Sequence, residues 1–281
     1  MSPPDLSALN MRGRWPPPEG PRVAIVGSRR PSPYGEAVAE QLAADLARAG
    51  VIVVSGLALG CDAAAHRGAL VGGGVTVAVM GTGVDIVYPA AHFRLAEEIL
   101  AAGGALVSQF PNGTAPRRHN FPARNLTIAA LSDVVVVVEA VQGSGALITA
   151  EAALELHKEV MAVPGSIFSP LSVGTHALIR DGAGLVQNAR DVLAAAGVGR
   201  EVLDDPLAAP RRLGFGLPAE RDGILIHLSD VLAVSAAELA RKLHLPVAEV
   251  LGRLTSLELD GAVRRHGPGY VRALRRGKER A

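Results

Sequence analysis

Residues 51–56 read Val-Ile-Val-Val-Ser-Gly, and residues 134–139 read Val-Val-Val-Val-Val-Glu. Neither run alternates polar with apolar side chains, so neither fits a strand with one wet face. Unbroken β-branched series fit strands buried on both faces, as in a parallel sheet covered by helices. Outward from them, similar short runs recur at 23–26, 75–80, 105–108 and 159–163, and helix-forming stretches lie between at 36–49, 62–71, 93–102, 122–131 and 146–157. This alternation predicts an α/β fold, a Rossmann-like doubly wound, mainly parallel sheet.

After Val192 the rhythm stops. Residues 197–217 carry Gly, Pro and an Asp204-Asp205-Pro206 turn and read as a linker. Beyond it, Ser235 and Glu238 fit a capping box opening a short helix through Leu243. Pro246 starts a second helix with Val247, Val250, Leu251, Leu254 and Leu257 on one face. Residues 262–265, a Gly267-Pro268-Gly269 tip and residues 270–272 then predict a hairpin wing, so the tail reads as a small winged-helix domain. The expected organisation is a Pro-rich stub at 1–20, a Rossmann-like domain at 21–196, a linker at 197–217, a winged helix at 218–275 and a basic tail at 276–281.

Composition narrows the function classes. Lys and Arg total 28 against 27 for Asp and Glu in 281 residues, so any surface for a polyanion is local rather than global. One cysteine, Cys61, excludes an internal disulfide framework and a cysteine zinc knuckle, and fits a reducing cytoplasm. The opening 21 residues lack the basic-then-apolar form of a secretion signal. No apolar run approaches the ~18 residues of a membrane span, so neither export nor membrane insertion is expected.

Three of the strand ends lead into helices through Gly/Ser segments: Gly27-Ser28-Arg29, Ser55-Gly56 and Gly143-Ser144-Gly145. Ligands of open parallel sheets sit at the carboxyl ends of the strands, where helix N-termini offer free N–H groups to phosphate. The three loops are therefore candidates to converge on one anion, with Ser28, Ser55 and Ser144 as hydroxyl donors; tight strand-to-helix turning is the plainer explanation of each glycine alone. A nucleotide cofactor is not expected. The first loop lacks G-x-G-x-x-G, the second strand ends in Ser55 where a ribose-binding acid would stand, and there is no G-x-x-x-x-G-K-[ST] loop. Arg29 and Arg30 stand there instead, two cations suited to backbone phosphate.

A second cationic segment runs Arg117-Arg118-His119-Asn120-Phe121-Pro122-Ala123-Arg124-Asn125. Aromatics make up 3% of the chain, so a phenylalanine set among three arginines stands out. Cations tracking phosphates beside a ring that stacks on a base are what sequence-tolerant single-strand binding needs; the bland alternative is a solvated basic turn with Phe121 in the core. Catalytic candidates are weaker. Asp62 and His66 lie four apart on one helix, more readily a link that positions the helix than an acid–base pair, while Glu139 and Glu151 flank the third loop. Cys61 reads as a packing residue, and neither a catalytic set nor a metal-ligand cluster is expected.

These residues resemble the DprA/Smf family, DNA-processing protein A. The resemblance is carried by Val23 to Arg29 with Tyr34-Gly35, by Ser55-Gly56-Leu57-Ala58 with Asp62 and His66, and by Phe121-Pro122-Ala123-Arg124-Asn125. Ala78 to Pro89, Glu139-Ala140 with Ser144-Gly145 and Ile148-Thr149-Ala150, and Val163-Pro164-Gly165 complete it. The resemblance implies a cytoplasmic, non-enzymatic homodimer that binds single-stranded DNA, protects it and promotes RecA loading in natural transformation. It also implies that Arg29, Arg118, Phe121, Arg124 and Asn125 contact the DNA. Leu126, Gln109, His92, His176 and Cys61 depart from the usual family pattern. The chief rival is a nucleotide hydrolase of the phosphoribohydrolase type, for which Gly143-Ser144-Gly145 with Glu151 is a loose match without the P-G-G-x-G-T-x-x-E motif. A third reading makes the winged helix a duplex-binding module and the larger domain its sensor.

Overall fold

In the computed structural model, which describes residues 4–198, 223–228, 233–259 and 262–273, the valine runs lie at the centre of one sheet. Its strands are β1 (Asn10–Gly13), β2 (Arg22–Val26), β3 (Ile52–Ser55), β4 (Thr76–Val79), β5 (Ala105–Ser108), β6 (Val134–Val137), β7 (Glu159–Ala162) and β8 (Gly184–Leu185). They are ordered β1-β5-β4-β3-β2-β6-β7-β8; β2 to β8 are parallel, and β1 pairs antiparallel with β5. Around the sheet lie α1 (Pro33–Arg48), α2 (Cys61–Val71), α3 (Phe93–Ala101), α4 (Asn120–Ala130), α5 (Gly145–Glu155), α6 (Val173–Arg180) and α7 (Ala189–Ala195).

The valine runs divide between the two faces with the period of two that a strand imposes. Val134, Val136 and Val138 join Val23, Ile25 and Val53 under α1, α2 and α7. Val135 and Val137 join Val26, Val54 and Val77 under α4 and α5. A third cluster seats α3 through Leu95, Ala96 and Ile99 on Met80 and Leu106. Each fully buried valine contributes roughly 1.5–3 kcal/mol of transfer free energy, which is why the runs are continuous. The fold is the doubly wound, mainly parallel Rossmann-like α/β architecture expected from them.

Topology then locates the crevice. From β2 the chain moves outward through β3, β4 and β5, and returns to lay β6 against the other side of β2. Strand order reverses there, so the carboxyl ends of β2 and β6 part and leave a gap for a ligand.

Two strands were not expected. Residues 1–20, read as a stub outside the domain, supply β1, whose Asn10 lies opposite Ser108 and Gly13 opposite Ala105. The two-residue β8 closes the other edge. Residues 199–217 of the expected linker and the whole tail at 276–281 lie outside the described residues.

The chain divides into units 1–211 and 212–281. The second is a winged helix: a helical turn Gly223–Ile226, helices Ala236–Leu243 and Val247–Leu259, and a hairpin of β9 (Val263–His266) and β10 (Gly269–Arg272). Its core is built on Ile224, Leu239, Val250 and Leu254. Ser235 Oγ caps the first helix by accepting from Glu238 N at 3.2 Å, while the Glu238 carboxylate pairs with Lys242. Val247 and Leu251, expected on the buried face, are exposed; from this helix Val250 and Leu254 enter the core, with Leu257 packed against it.

Candidate nucleic-acid interface

At the gap between β2 and β6 opens a cavity of about 480 Å³, in the range of small-ligand pockets. The loop after β2 forms one wall with Gly27, Ser28, Arg29 and Arg30, and the first turn of α5 forms the other with Ser144 and Gly145. Asn125 joins them across the floor, its Nδ2 donating to Gly145 O at 3.0 Å. Two of the three Gly/Ser loops therefore face each other, and the first turn of α5, whose amides receive no side-chain cap, borders an opening rimmed by Arg29 and Arg30, both exposed. The Ser144 hydroxyl is shielded and has no hydrogen-bond partner in the structure, a donor left over beside those amides.

The glycines serve different ends. A side chain on Gly27 would strike Cys61 Sγ at 2.6 Å, and one on Gly56 would strike Arg124 and Asp62, so both are required by packing. Gly143 has φ +73° in the turn before α5. At Gly145 a Cβ would meet nothing nearer than Asn125 Nδ2 at 4.0 Å, so the interior makes no demand there and the bare backbone faces the crevice.

Two expected contacts are redirected. Ser55 is fully buried and donates to Ile25 O at 2.7 Å, tying β3 to β2, so its hydroxyl is spent inside the sheet. Arg124 is only 3% exposed. Its Nη1 donates to Gly56 O and Val79 O at 2.5 Å each, binding the ends of β3 and β4 from the first turns of α4. Asp62 completes this clamp by accepting from Gly56 N at 3.1 Å and Ala58 N at 3.4 Å. Between the two amides Leu57 is held at φ +55°, a strained conformation for a branched residue. Burial pulls the Arg124 guanidinium down to about 10 against the opposing pull of Asp62. The Asp62 carboxyl is raised by burial, Arg124 and the amides opposing. Arg124 touches the cavity floor, but its main partners are backbone carbonyls.

Phe121 stands at the rim, half-buried in the first turn of α4. Its ring lies against Gly81, where a Cβ would come within 2.8 Å of it, and the guanidinium carbons of Arg29 and Arg124 lie 5.6 and 5.9 Å from its centroid. Tyr88, overlooked in the sequence, adds a second ring 5.5 Å away. Arg117 and Arg118 are exposed on the segment leading to Phe121 and, like Phe121, Ser55, Gly56 and Gly143, do not line the cavity.

Of the titratable groups singled out near the crevice, Glu139, His66 and Cys61 are engaged in the fold. Glu139, at the end of β6, accepts from Ser32 N at 2.8 Å and Ser32 Oγ at 2.5 Å, fixing the N-terminus of α1. Glu151 is exposed on α5. His66 is fully buried: Thr76 Oγ1 donates to Val53 O at 2.8 Å, so it accepts from His66 Nδ1 at 2.7 Å, and burial holds the imidazole down at about 3. Burial raises the Cys61 thiol, leaving it inert. Of the positions that depart from the family pattern, Leu126 packs in the α4–α5 core, and Gln109 accepts from Thr127 Oγ1. Among the described residues no three His, Cys, Asp or Glu side chains are placed to hold a metal, and no helix is long and apolar enough to cross a membrane.

Residues 2–197 match the family model described as DNA recombination-mediator protein A, and residues 208–269 match the DprA winged helix domain. The chain belongs to the DprA/Smf family. It is 42% identical to Protein Smf of Escherichia coli over 260 residues, covering 90% of this chain and 68% of that protein. To the putative DNA processing protein DprA of Mycobacterium tuberculosis it is 44% identical over 239 residues, 85% of this chain and 61% of that one. The chain thus spans 61–68% of the length of these two relatives. Among solved structures, DprA from Streptococcus pneumoniae superposes with a TM-score of 0.62 at 45% identity, over 66% of this chain and 65% of that one. DprA from Helicobacter pylori, whose structure is described as giving insight into a unique single-stranded DNA binding mode, superposes with a TM-score of 0.60 at 32% identity, over 66% and 85%.

Proposed function

We propose that this protein binds single-stranded DNA at the β2–β6 crevice, without turnover, and as a homodimer in the cytoplasm delivers the strand to RecA in recombination and natural transformation. One observation carries the binding: the Gly27–Arg30 loop and the amide-rich first turn of α5 face each other across the gap, with exposed arginines on the rim. Backbone amides and guanidinium groups bind phosphate whatever the base, and the Phe121 ring beside Arg29 offers a π-face that any base can use. Gly27, Ser28, Arg29, Asn125, Ser144 and Gly145 form the phosphate cradle. Phe121 with Arg117 and Arg118 extends it, and Gly56, Gly143 and Arg124 hold its shape. Delivery to RecA and self-association rest on family membership.

A titration with single- and double-stranded oligonucleotides over a salt series tests the binding. Tighter single-strand binding, with log K falling by roughly 0.7 per phosphate neutralised in log salt, is expected. Equal or tighter duplex binding refutes it. A screen for base release from nucleoside monophosphates separates the hydrolase alternative, which requires release that vanishes in Glu151→Gln. The RecA step is checked by whether the protein speeds RecA assembly on strands coated with a single-strand-binding protein.

A further inference from the structure

We propose that Tyr88 is a second base-stacking platform, and that single-stranded DNA leaves the crevice over Phe121 toward the carboxyl ends of β4 and β5. This rests on the single-strand reading above and extends it to an element that carried no candidate residue. Tyr88 is 46% exposed, and its ring meets that of Phe121 at 5.5 Å with 44° between their planes. Such spacing and tilt leave no room for a base between the rings. They present one bent aromatic surface, with Arg29 over Phe121 at the crevice end and Tyr88 at the far end.

The loop bearing Tyr88 is pinned over the residues that lead to it, 81–86. Asn120 Nδ2 donates to Gly81 O at 3.1 Å, and Ser108 Oγ to Thr82 O at 2.6 Å. Thr82 Oγ1 donates to Ile86 O at 2.6 Å, and Gly83 N to Thr114 O at 3.0 Å. The Asp85 carboxylate accepts from Gly113 N at 3.0 and 2.9 Å. Tyr88 is therefore offered to solvent on a frame fixed before any ligand arrives, so stacking on it entails little ordering of the loop. The segment that pins the loop continues directly into exposed Arg117 and Arg118, cations placed in sequence to follow the phosphates of a strand crossing both rings.

The test compares fluorescently labelled oligothymidylates of about four and about twenty nucleotides, lengths that bracket a single-strand site. Tyr88→Ala should weaken the longer strand roughly five- to a hundredfold, leave the shorter one unchanged, and keep the melting temperature; Tyr88→Phe should restore affinity. In Tyr88→Trp, the longer strand should quench emission beyond any change seen in the parent, which a packing role would not produce. Tyr88→Ala binding the longer strand as the parent does, while Arg29→Ala weakens it, overturns the platform and leaves the crevice reading standing. If the parent binds neither strand, both fall. Should Tyr88→Ala fail to fold, the tryptophan variant decides, and absent quenching overturns the proposal.

Discussion

Replacing Arg124 with alanine should damage the fold far more than it alters the electrostatics of DNA binding. The side chain is 3% exposed and donates to Gly56 O and Val79 O. Alanine leaves both carbonyls unpartnered and removes the cation that offsets the buried Asp62 carboxylate. Hydrogen bonds from a charged donor contribute about 1.5–3 kcal/mol each, and breaking a buried charged arrangement costs about 3–5 kcal/mol; about 3–5 kcal/mol is adopted, since the bonds and the charge are one interaction. For a unit of this size that is a fall of roughly 6–20 °C in melting temperature. Calorimetry and urea titration measure the fall, and the salt dependence of single-strand affinity measures the rest. The slope should match the parent in the folded fraction, because no exposed cation has been lost. A melting temperature within about 2 °C of the parent together with a shallower slope would refute the clamp and make Arg124 a phosphate contact.

Arg29→Ala should do the reverse, lowering affinity and the salt slope by about 0.7 at unchanged stability; an unchanged slope removes Arg29 from the site. Phe121→Ala should lower both single-strand affinity and stability, by about 1–3 kcal/mol in binding with a smaller fall in unfolding free energy, because the ring is half-buried against Gly81; full affinity in the folded fraction would make it a packing residue only. His66 gives acid sensitivity. The unfolded chain protonates it near 6.5 and the fold only near 3, so stability is complete above 6.5 and is lost as pH falls toward 3. At about 1.4 kcal/mol per unit, urea melts should lose roughly 2–3 kcal/mol between pH 6.5 and 4.5, a loss absent in His66→Phe. A chain ended after Ala196 should keep single-strand binding, since every crevice residue precedes that point; loss of binding with intact circular dichroism would move the site to the wing around Arg264, Arg265 and Arg272.

The sheet was legible because its central strands are buried on both faces and so are written in uninterrupted valine and isoleucine. β1 was not, because its burial pattern is almost wholly exposed and its pairing with β5 is a tertiary event with no local apolar signature. The crevice loops could be read from Gly and Ser at strand ends, whereas the burial of Arg124 was masked by its basic neighbours. A signal was present even so: Asn120, Arg124 and Ile128 are spaced by four on α4, and all three are buried. Ser55 was misassigned as a donor since a serine at a strand end looks the same whether it faces a ligand or a neighbouring carbonyl. Tyr88 stayed hidden because exposure of a ring in a loop is decided by what pins the loop, and those bonds come from residues 108–120.

The antiparallel β1 also bears on solubility. Without it, β5 would present the amides and carbonyls of Ala-Leu-Val-Ser, a wholly buried segment, as a naked border on which another chain could add strands. The opposite border is blunted by brevity, since β8 is two residues long. A chain lacking its first 20 residues would thus be expected to retain every crevice residue and yet cluster through the β5 border, visible as concentration-dependent light scattering that arginine-bearing β1, with Arg12 salt-bridged to Glu97 at 2.9 Å, normally holds in check.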